Sequence, residues 1–163
     1  FRFPEQTMVS GFNGYEAYEY VELINEEGEI LRNPRSVGGD EALRNKAAAL
    51  ENVSFFRPFA FDETNVRYHG IESFDGKDVE HVEFIHRDKF QFHRFFDAQT
   101  GDLLKSELET GLVTLESGEM VVDGVRFSKV IEGKLEGESQ FEMEFDEVVV
   151  NPELSDTYFD FPN

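Results

Sequence analysis

The stretch from residue 66 to residue 108 decides the fold. It reads VRYHGIES (66–73), VEHVEFIHR (79–87), FQFHRFFD (90–97) and LLKSEL (103–108), four short segments in which apolar and polar residues alternate. Alternation with a period of two is typical of half-buried β-strands. Turn residues separate the segments, among them Asp75-Gly76 and Thr100-Gly101, where glycine supplies the positive φ of a tight turn. The sequence therefore predicts an antiparallel meander of four strands.

The turn between the second and third segments sets the expected register. If residues 88–89 form a two-residue loop, Glu83 pairs with Arg94, and such an opposite-charge pair contributes about 0.2–1 kcal/mol. In this register Phe84 and Phe92 lie on opposite faces of the sheet. A slip of one residue would exchange the two faces.

Length and composition exclude several classes of protein. The chain has 163 residues, no cysteine and a formal net charge of −20. This length predicts one domain, and the absence of cysteine excludes disulfides. The negative charge argues against nucleic acid as a partner, because such partners require a basic surface. No apolar run approaches the ~18 residues of a membrane-spanning helix, so we expect no transmembrane segment.

Phenylalanine is unusually frequent, with eighteen residues in the chain. Each can bury roughly 150–250 Å², which together exceeds what the core of one such domain requires. We therefore expect some of these side chains to line a cleft.

Further strands are predicted outside the meander. They cover residues 15–24, 125–131 and 141–150. The first is apolar on both faces and is expected to lie centrally in a sheet. The last is the clearest, because Phe141, Met143 and Phe145 alternate with acidic residues. We expect one face of this strand to be buried and the other to be in water.

One helix is predicted over residues 40–52, where the apolar period changes to 3.6. Leu43, Ala47 and Leu50 fall on one face of this helix. Its N-cap is expected at residue 39 or 40. Together the elements predict a mainly β, α+β fold, with a large curved antiparallel sheet and a helix on its concave face.

Histidines are the residues most relevant to chemistry. His69, His81, His86 and His93 all fall in the meander, but their spacing matches no metal motif. In the expected register His86 and His93 share a face, yet two histidines do not make a zinc site. A third ligand would have to come from elsewhere in the chain. We therefore expect no metal and no cofactor.

Several short motifs follow one another along most of the chain. They are GFNGY (11–15), the helix around residues 43–50, FDG (74–76), FDAQTG (96–101) with LL (103–104), VDGV (122–125), and VVVN (148–151) running to FDFP (159–162). In this order they resemble the LolA-like family, the periplasmic outer-membrane lipoprotein carrier and lipoprotein-sorting proteins. The resemblance begins at about residue 9.

The resemblance implies an unclosed half-barrel sheet whose apolar concave face, covered by helices, shelters acyl chains in the bacterial periplasm. It implies one LolA-like domain over residues 1–163, lacking the N-terminal elements of the full family domain. The expected location is the periplasm or the cell envelope. Because the chain begins at Phe1 without a signal-peptide pattern, we expect a removed leader or a piece cut from a longer chain.

The resemblance leads to a functional expectation with named residues. We expect a non-enzymatic, monomeric binding or carrier protein that holds a lipid or lipoprotein acyl chain between sheet and helix, with a membrane-associated protein as a further partner. The lid would consist of Leu43, Ala47 and Leu50. The cavity wall would be drawn from Phe84, Phe92, Phe127, Phe141, Met143 and Phe145. In the expected register only one of Phe84 and Phe92 should line the cavity.

Two alternative functions use the same scaffold. A protein-interaction or sensor module would present an exposed apolar patch without an enclosed cavity. A small enzyme would use a histidine with a carboxylate as acid and base, inside a deep pocket.

Overall fold

The computed structural model describes residues 6–12, 17–24, 28–57, 64–155 and 160. The chain divides into a first unit, Phe1–Arg57 with Glu153–Asn163, and a second unit, Pro58–Pro152. The prediction of one domain over residues 1–163 stays a prediction.

The first unit contains a four-stranded antiparallel sheet. Its strands are β1 (Gln6–Phe12), β2 (Ala17–Ile24), β3 (Ile30–Arg32) and β4 (Arg35–Val37). β2 pairs with all three of the others, so the central position predicted for residues 15–24 is confirmed. β3 and β4 were not predicted, because three residues are too few for alternation to reveal a strand.

The predicted helix is confirmed as α1 (Gly39–Val53). Its N-cap is Gly38 rather than residue 39 or 40, because Gly38 has the extended backbone that an N-cap adopts, with φ −121° and ψ 178°. Asp40 and Glu41 occupy the first turn, where carboxylates interact favourably with the helix dipole. In the described part of the chain, no helix is long and apolar enough to cross a membrane.

The second unit contains a seven-stranded antiparallel sheet and a two-stranded one. In chain order the strands are β5 (Thr64–Phe74), β6 (Lys77–His86), β7 (Phe90–Asp97), β8 (Leu103–Leu108), β9 (Leu112–Ser117), β10 (Met120–Val122), β11 (Val125–Phe127), β12 (Val130–Leu135) and β13 (Glu138–Glu144). The large sheet has the order β13-β12-β9-β8-β7-β6-β5, and β10 pairs with β11. The predicted meander is therefore confirmed as β5 to β8.

The large sheet is open. Among the described strands, β13 and β5 each pair with one neighbour and form its two edges. The predicted mainly β, α+β class and the unclosed antiparallel sheet are thus confirmed.

The single strand predicted over residues 125–131 is wrong. Asp123 and Gly124 have positive φ angles of 52° and 79° and close a tight hairpin, so β11 pairs with β10. The chain then joins the large sheet as β12, where the N–H of Lys129 donates to the carbonyl oxygen of Ser117 at 3.0 Å. The segment predicted as one strand therefore serves two sheets.

The last predicted strand is shorter than expected. β13 ends at Glu144 rather than at residue 150, and all its residues are exposed. The expectation that one of its faces is buried is wrong, because β13 is an edge strand with a single neighbour.

The register of the central hairpin differs from the expected one by one residue. His86 pairs with Phe90, so the loop has three residues, and Phe84 pairs with Phe92. Arg87 and Asp88 have positive φ angles of 53° and 51°, and the Lys89 N–H donates to the His86 carbonyl oxygen at 3.0 Å. Positive φ at both central residues is the geometry of a type I′ turn. Phe84 and Phe92, which were expected on opposite faces of the sheet, therefore lie on the same face.

A glycine lies under an aromatic ring where β12 meets β13. Gly133 pairs with Phe141, and a Cβ atom added to Gly133 would overlap the ring of Phe141. The ring thus covers backbone that the glycine leaves bare, an arrangement known as aromatic rescue.

We expect Gly133→Ala to lower the free energy of unfolding by about 1–3 kcal/mol, because the methyl group displaces the Phe141 ring. Urea denaturation measures this change. Ser139→Ala, at an exposed position of β13, is the control and should change stability by less than about 0.5 kcal/mol. In a Phe141→Ala background the cost of Gly133→Ala should largely disappear. An unchanged cost there would contradict the overlap.

Candidate functional site

The register divides the side chains of the large sheet between two faces. The face that we call the apolar face carries Val82, Phe84, Phe92, Phe96, Leu108, Ile131, Phe141 and Met143. The opposite face, which we call the histidine face, carries His81, Glu83, His93, Phe95 and Lys105. Each face therefore has its own chemistry.

Four of the predicted wall residues lie together on the apolar face. Phe84 and Phe92 are directly paired on β6 and β7, and their exposed fractions are 3% and 0%. Phe141 and Met143 lie on β13 and are 37% and 44% exposed. The expectation that Phe84 and Phe92 lie on opposite faces is wrong, because the turn has three residues. Phe84 and Phe92 therefore belong to the core, whereas Phe141 and Met143 are accessible to a ligand.

Two other predicted wall residues lie outside the large sheet. Phe127 belongs to β11 and pairs with Met120. Phe145 follows the end of β13, and its N–H donates to the Lys129 carbonyl oxygen at 2.9 Å. Their place in a cavity wall stays a prediction.

The predicted lid residues belong to the first unit. Leu43, Ala47 and Leu50 lie on α1, where Ala47 is buried and the two leucines are half-buried. Their role as a lid also stays a prediction.

A carboxyl group interrupts the apolar face. Glu116 on β9 pairs with Ile131, and its Oε2 accepts a hydrogen bond of 2.5 Å from the Ser128 hydroxyl. Burial raises the pKa of the Glu116 carboxyl, while Ser128 and the guanidinium of Arg94 oppose the change. Arg94 is itself buried and lies over the Phe92 ring, 5.0 Å from its centroid.

The first unit contains a cleft of about 600 Å³ on its own sheet. It is lined by Glu19, Tyr20, Val21, Leu23, Leu31, Arg32, Asn33 and Arg35. Both arginines pair with glutamates, Arg32 with Glu22 at 2.7 Å and Arg35 with Glu19 at 2.6 Å. None of the predicted lid or wall residues lines this cleft.

Three histidines meet on the histidine face. His69, His81 and His93 each offer one ring nitrogen, and these nitrogens lie within 4.8 Å of one another. Nε2 of His81 and Nδ1 of His93 are hydrogen bonded at 2.8 Å. The rings of His69 and His81 stack with centroids 4.5 Å apart.

Glutamate carboxylates are hydrogen bonded to two of the three histidine rings. Nε2 of His69 is 2.8 Å from Oε2 of Glu83, which is buried, and Nδ1 of His81 is 2.7 Å from Oε1 of Glu72. Burial lowers the pKa of His93, whereas the carboxylates of Glu83 and Glu107 raise it. The cluster thus consists of imidazoles backed by carboxylates.

The sequence reasoning missed this cluster. His86, expected to share a face with His93, lies on the apolar face, with its ring 5.2 Å from that of Phe92. His69 follows Tyr68, which pairs with Val82 on the apolar face, so alternation places His69 on the histidine face. An isolated glycine within a strand pattern indicates a bulge, so Gly70 is the signal for the bulge that places His69 and Gly70 together opposite His81.

Together these features define an α+β protein built on an open antiparallel sheet with one apolar face and one face rich in histidine and charge. Its fold is similar to a solved structure of a DUF1329 family protein from Desulfovibrio piger, with a TM-score of 0.53 and 15% sequence identity, over 95% of this chain and 69% of that chain. At this identity the likeness shows the fold alone. No family model and no curated protein matches the sequence.

We expect Glu116→Gln to become more stable than the wild type as pH rises. Because the folded-state pKa of Glu116 lies above its ordinary value of 4.5, the folded state binds the extra proton, and wild-type stability falls as pH rises through this window. The difference in free energy of unfolding between variant and wild type should grow from about pH 4 to about pH 7. Urea denaturation across this range measures it.

Ser128→Ala serves as the matched variant for this experiment. It removes the hydrogen bond that lowers the pKa of Glu116, so the wild-type loss of stability with pH should become larger. In the Glu116→Gln background Ser128→Ala should not alter the pH dependence. A difference between Glu116→Gln and wild type that does not vary with pH would contradict the assignment.

Proposed function

We propose that the protein binds a lipid or lipoprotein acyl chain on the apolar face, at the end formed by β12 and β13. The observation that carries this proposal is the change in exposure across one face. Phe84 and Phe92 on β6 and β7 are buried, whereas Leu135, Phe141 and Met143 on β12 and β13 are 40%, 37% and 44% exposed. The apolar surface therefore continues to the edge of the sheet and remains open to a ligand there.

The chemistry of this end favours an acyl chain. Ile131 and Leu135 on β12 face the same side as Phe141 and Met143 on β13. An acyl chain lying along them needs no hydrogen-bonding partner, and each methylene removed from water contributes about 0.8 kcal/mol. Methionine is flexible and polarisable, so Met143 suits a ligand of variable shape.

The likeness to a DUF1329 family protein supports the scaffold, and the motif order resembling the LolA-like family supports the ligand. A binding or carrier protein of the periplasm or cell envelope, without catalytic activity, is the function that these observations favour together. We propose a monomer, with a membrane-associated protein as the partner that supplies or receives the acyl chain.

We expect the double substitution Phe141→Ala with Met143→Ala to weaken the binding of a fluorescent long-chain fatty acid about 10- to 100-fold, because both side chains lose their apolar contact with the chain. Fluorescence titration measures the dissociation constant. Val121→Ala is the matched control, since Val121 is apolar and 60% exposed but lies on β10 in the two-stranded sheet. It should bind as the wild type does.

Native mass spectrometry of protein purified from a bacterial host provides an independent test. A stoichiometric fatty acid or phospholipid released on denaturation would support the proposal. A mass without lipid, together with no uptake when lipid is offered, would refute it. Equal affinities of the double variant and the wild type would refute the location on β13.

A second candidate function, a protein-interaction module, is favoured by the exposure of β13. All seven residues of this strand are exposed, and in the described structure it pairs with β12 alone. An edge strand of this kind can accept a strand from another protein through backbone hydrogen bonds. If the protein takes up no lipid, protein interaction becomes the better supported of the two functions.

A further inference from the structure

We propose that His69, His81 and His93 form a binding site for a divalent first-row transition metal ion, with Zn²⁺ as the representative ion. This site lies on the histidine face, opposite the apolar face, and does not depend on acyl-chain binding.

The geometry requires only small movements. Tetrahedral zinc with Zn–N bonds of ~2.0–2.1 Å holds its ligand nitrogens roughly 3.3 Å apart. The His81 and His93 nitrogens are 2.8 Å apart, and the three ligand atoms lie within 4.8 Å of one another. Side-chain rotations that open one distance by about 0.5 Å and close the others by up to about 1.5 Å would place an ion between them.

The backbone brings the three rings together for an identifiable reason. His81 and His93 lie on neighbouring strands, and both point to the histidine face through the normal alternation. His69 is the extra residue of a β-bulge on β5, with Gly70 next to it at φ 104°. A bulge re-aims a side chain, and bulges are over-represented beside functional sites. His69 follows Tyr68 on the apolar face, so strand alternation directs His69 to the histidine face, and the bulge shifts the residues after it so that Glu72 lies on this face as well.

The carboxylates behind the rings complete the pattern of a metal site. Metal-binding histidines donate their other ring N–H to a carboxylate, which fixes the tautomer and the ring orientation. Glu83 holds Nε2 of His69, which leaves Nδ1 for an ion, and Glu72 holds Nδ1 of His81, which leaves Nε2. That remaining nitrogen of His81 is the one that faces His93.

The surroundings favour a cation that arrives from water. Glu72, Glu83 and Glu107 supply negative charge around the three rings, partly balanced by Arg67 and Lys105. The side chain of His69 is 38% exposed, which leaves an entry path. Three neutral imidazoles suit zinc, copper and nickel rather than magnesium or calcium. Three protein ligands also leave a fourth position for water, as in open zinc sites.

The experiment uses the full chain, freed of any affinity tag and dialysed against a chelator. Isothermal titration with Zn²⁺ measures stoichiometry and affinity, and titration with Co²⁺ reports the coordination geometry through visible absorption. We expect one ion per chain and a cobalt spectrum typical of four-coordinate nitrogen and oxygen ligation. Absence of Zn²⁺ binding by the wild type would overturn the proposal.

Variants locate the site. His81→Ala and His93→Ala should each weaken Zn²⁺ binding at least ~100-fold, and Glu83→Gln about 10- to 100-fold. His86→Ala is the matched control, because His86 lies on the opposite face, and its affinity should equal that of the wild type. Circular dichroism checks that each variant is folded. His69→Ala tests the site at an exposed residue, so this substitution leaves the core intact. Wild-type affinity in His69→Ala and His81→Ala would overturn the proposal.

Discussion

The turn at Arg87 and Asp88 sets the register between β6 and β7. This register determines which residues of the two strands share a face of the large sheet. Both residues have positive φ, so the hairpin closes with His86 opposite Phe90 rather than with Arg87 there. Side chains in a strand alternate with a period of two, and a slip of one residue therefore exchanges the faces of one strand relative to its partner. In the observed register, Phe84 and Phe92 therefore share one side of the sheet, and His81 and His93 share the other.

The β-bulge at His69 is a second feature that changes which residues share a face of the sheet. Before the bulge Tyr68 pairs with Val82 on the apolar face, and after it Gly70 pairs with His81. The extra residue shifts the alternation after it, so that Glu72 rather than Ile71 shares the histidine face with His69 and His81. The backbone energy of this feature is low because glycine occupies the position at φ 104° without a steric penalty.

Local patterns in the sequence predicted the strands well but not their pairing. β7 and β8 have the predicted bounds, since alternation is a property of each segment alone. The register depends on backbone angles at Arg87 and Asp88, and arginine carries no signal for positive φ. The burial of Phe92 and the exposure of Phe141 depend on the spatial order of the strands, which alternation does not encode. The grouping of His69 with His81 and His93 depends on the registers of β5 with β6 and of β6 with β7.

The strand order also separates the two proposed sites. The histidine cluster lies on β5 to β7, whereas Leu135, Phe141 and Met143 of the proposed acyl-chain site lie on β12 and β13. From β7 to β13 the sheet makes four steps of ~4.8 Å, or roughly 19 Å. Interactions more than about 10 Å apart that share no partners are usually additive. An ion that joins three strands at one end therefore restrains that end, while the other end keeps its apolar surface free to adapt to a ligand.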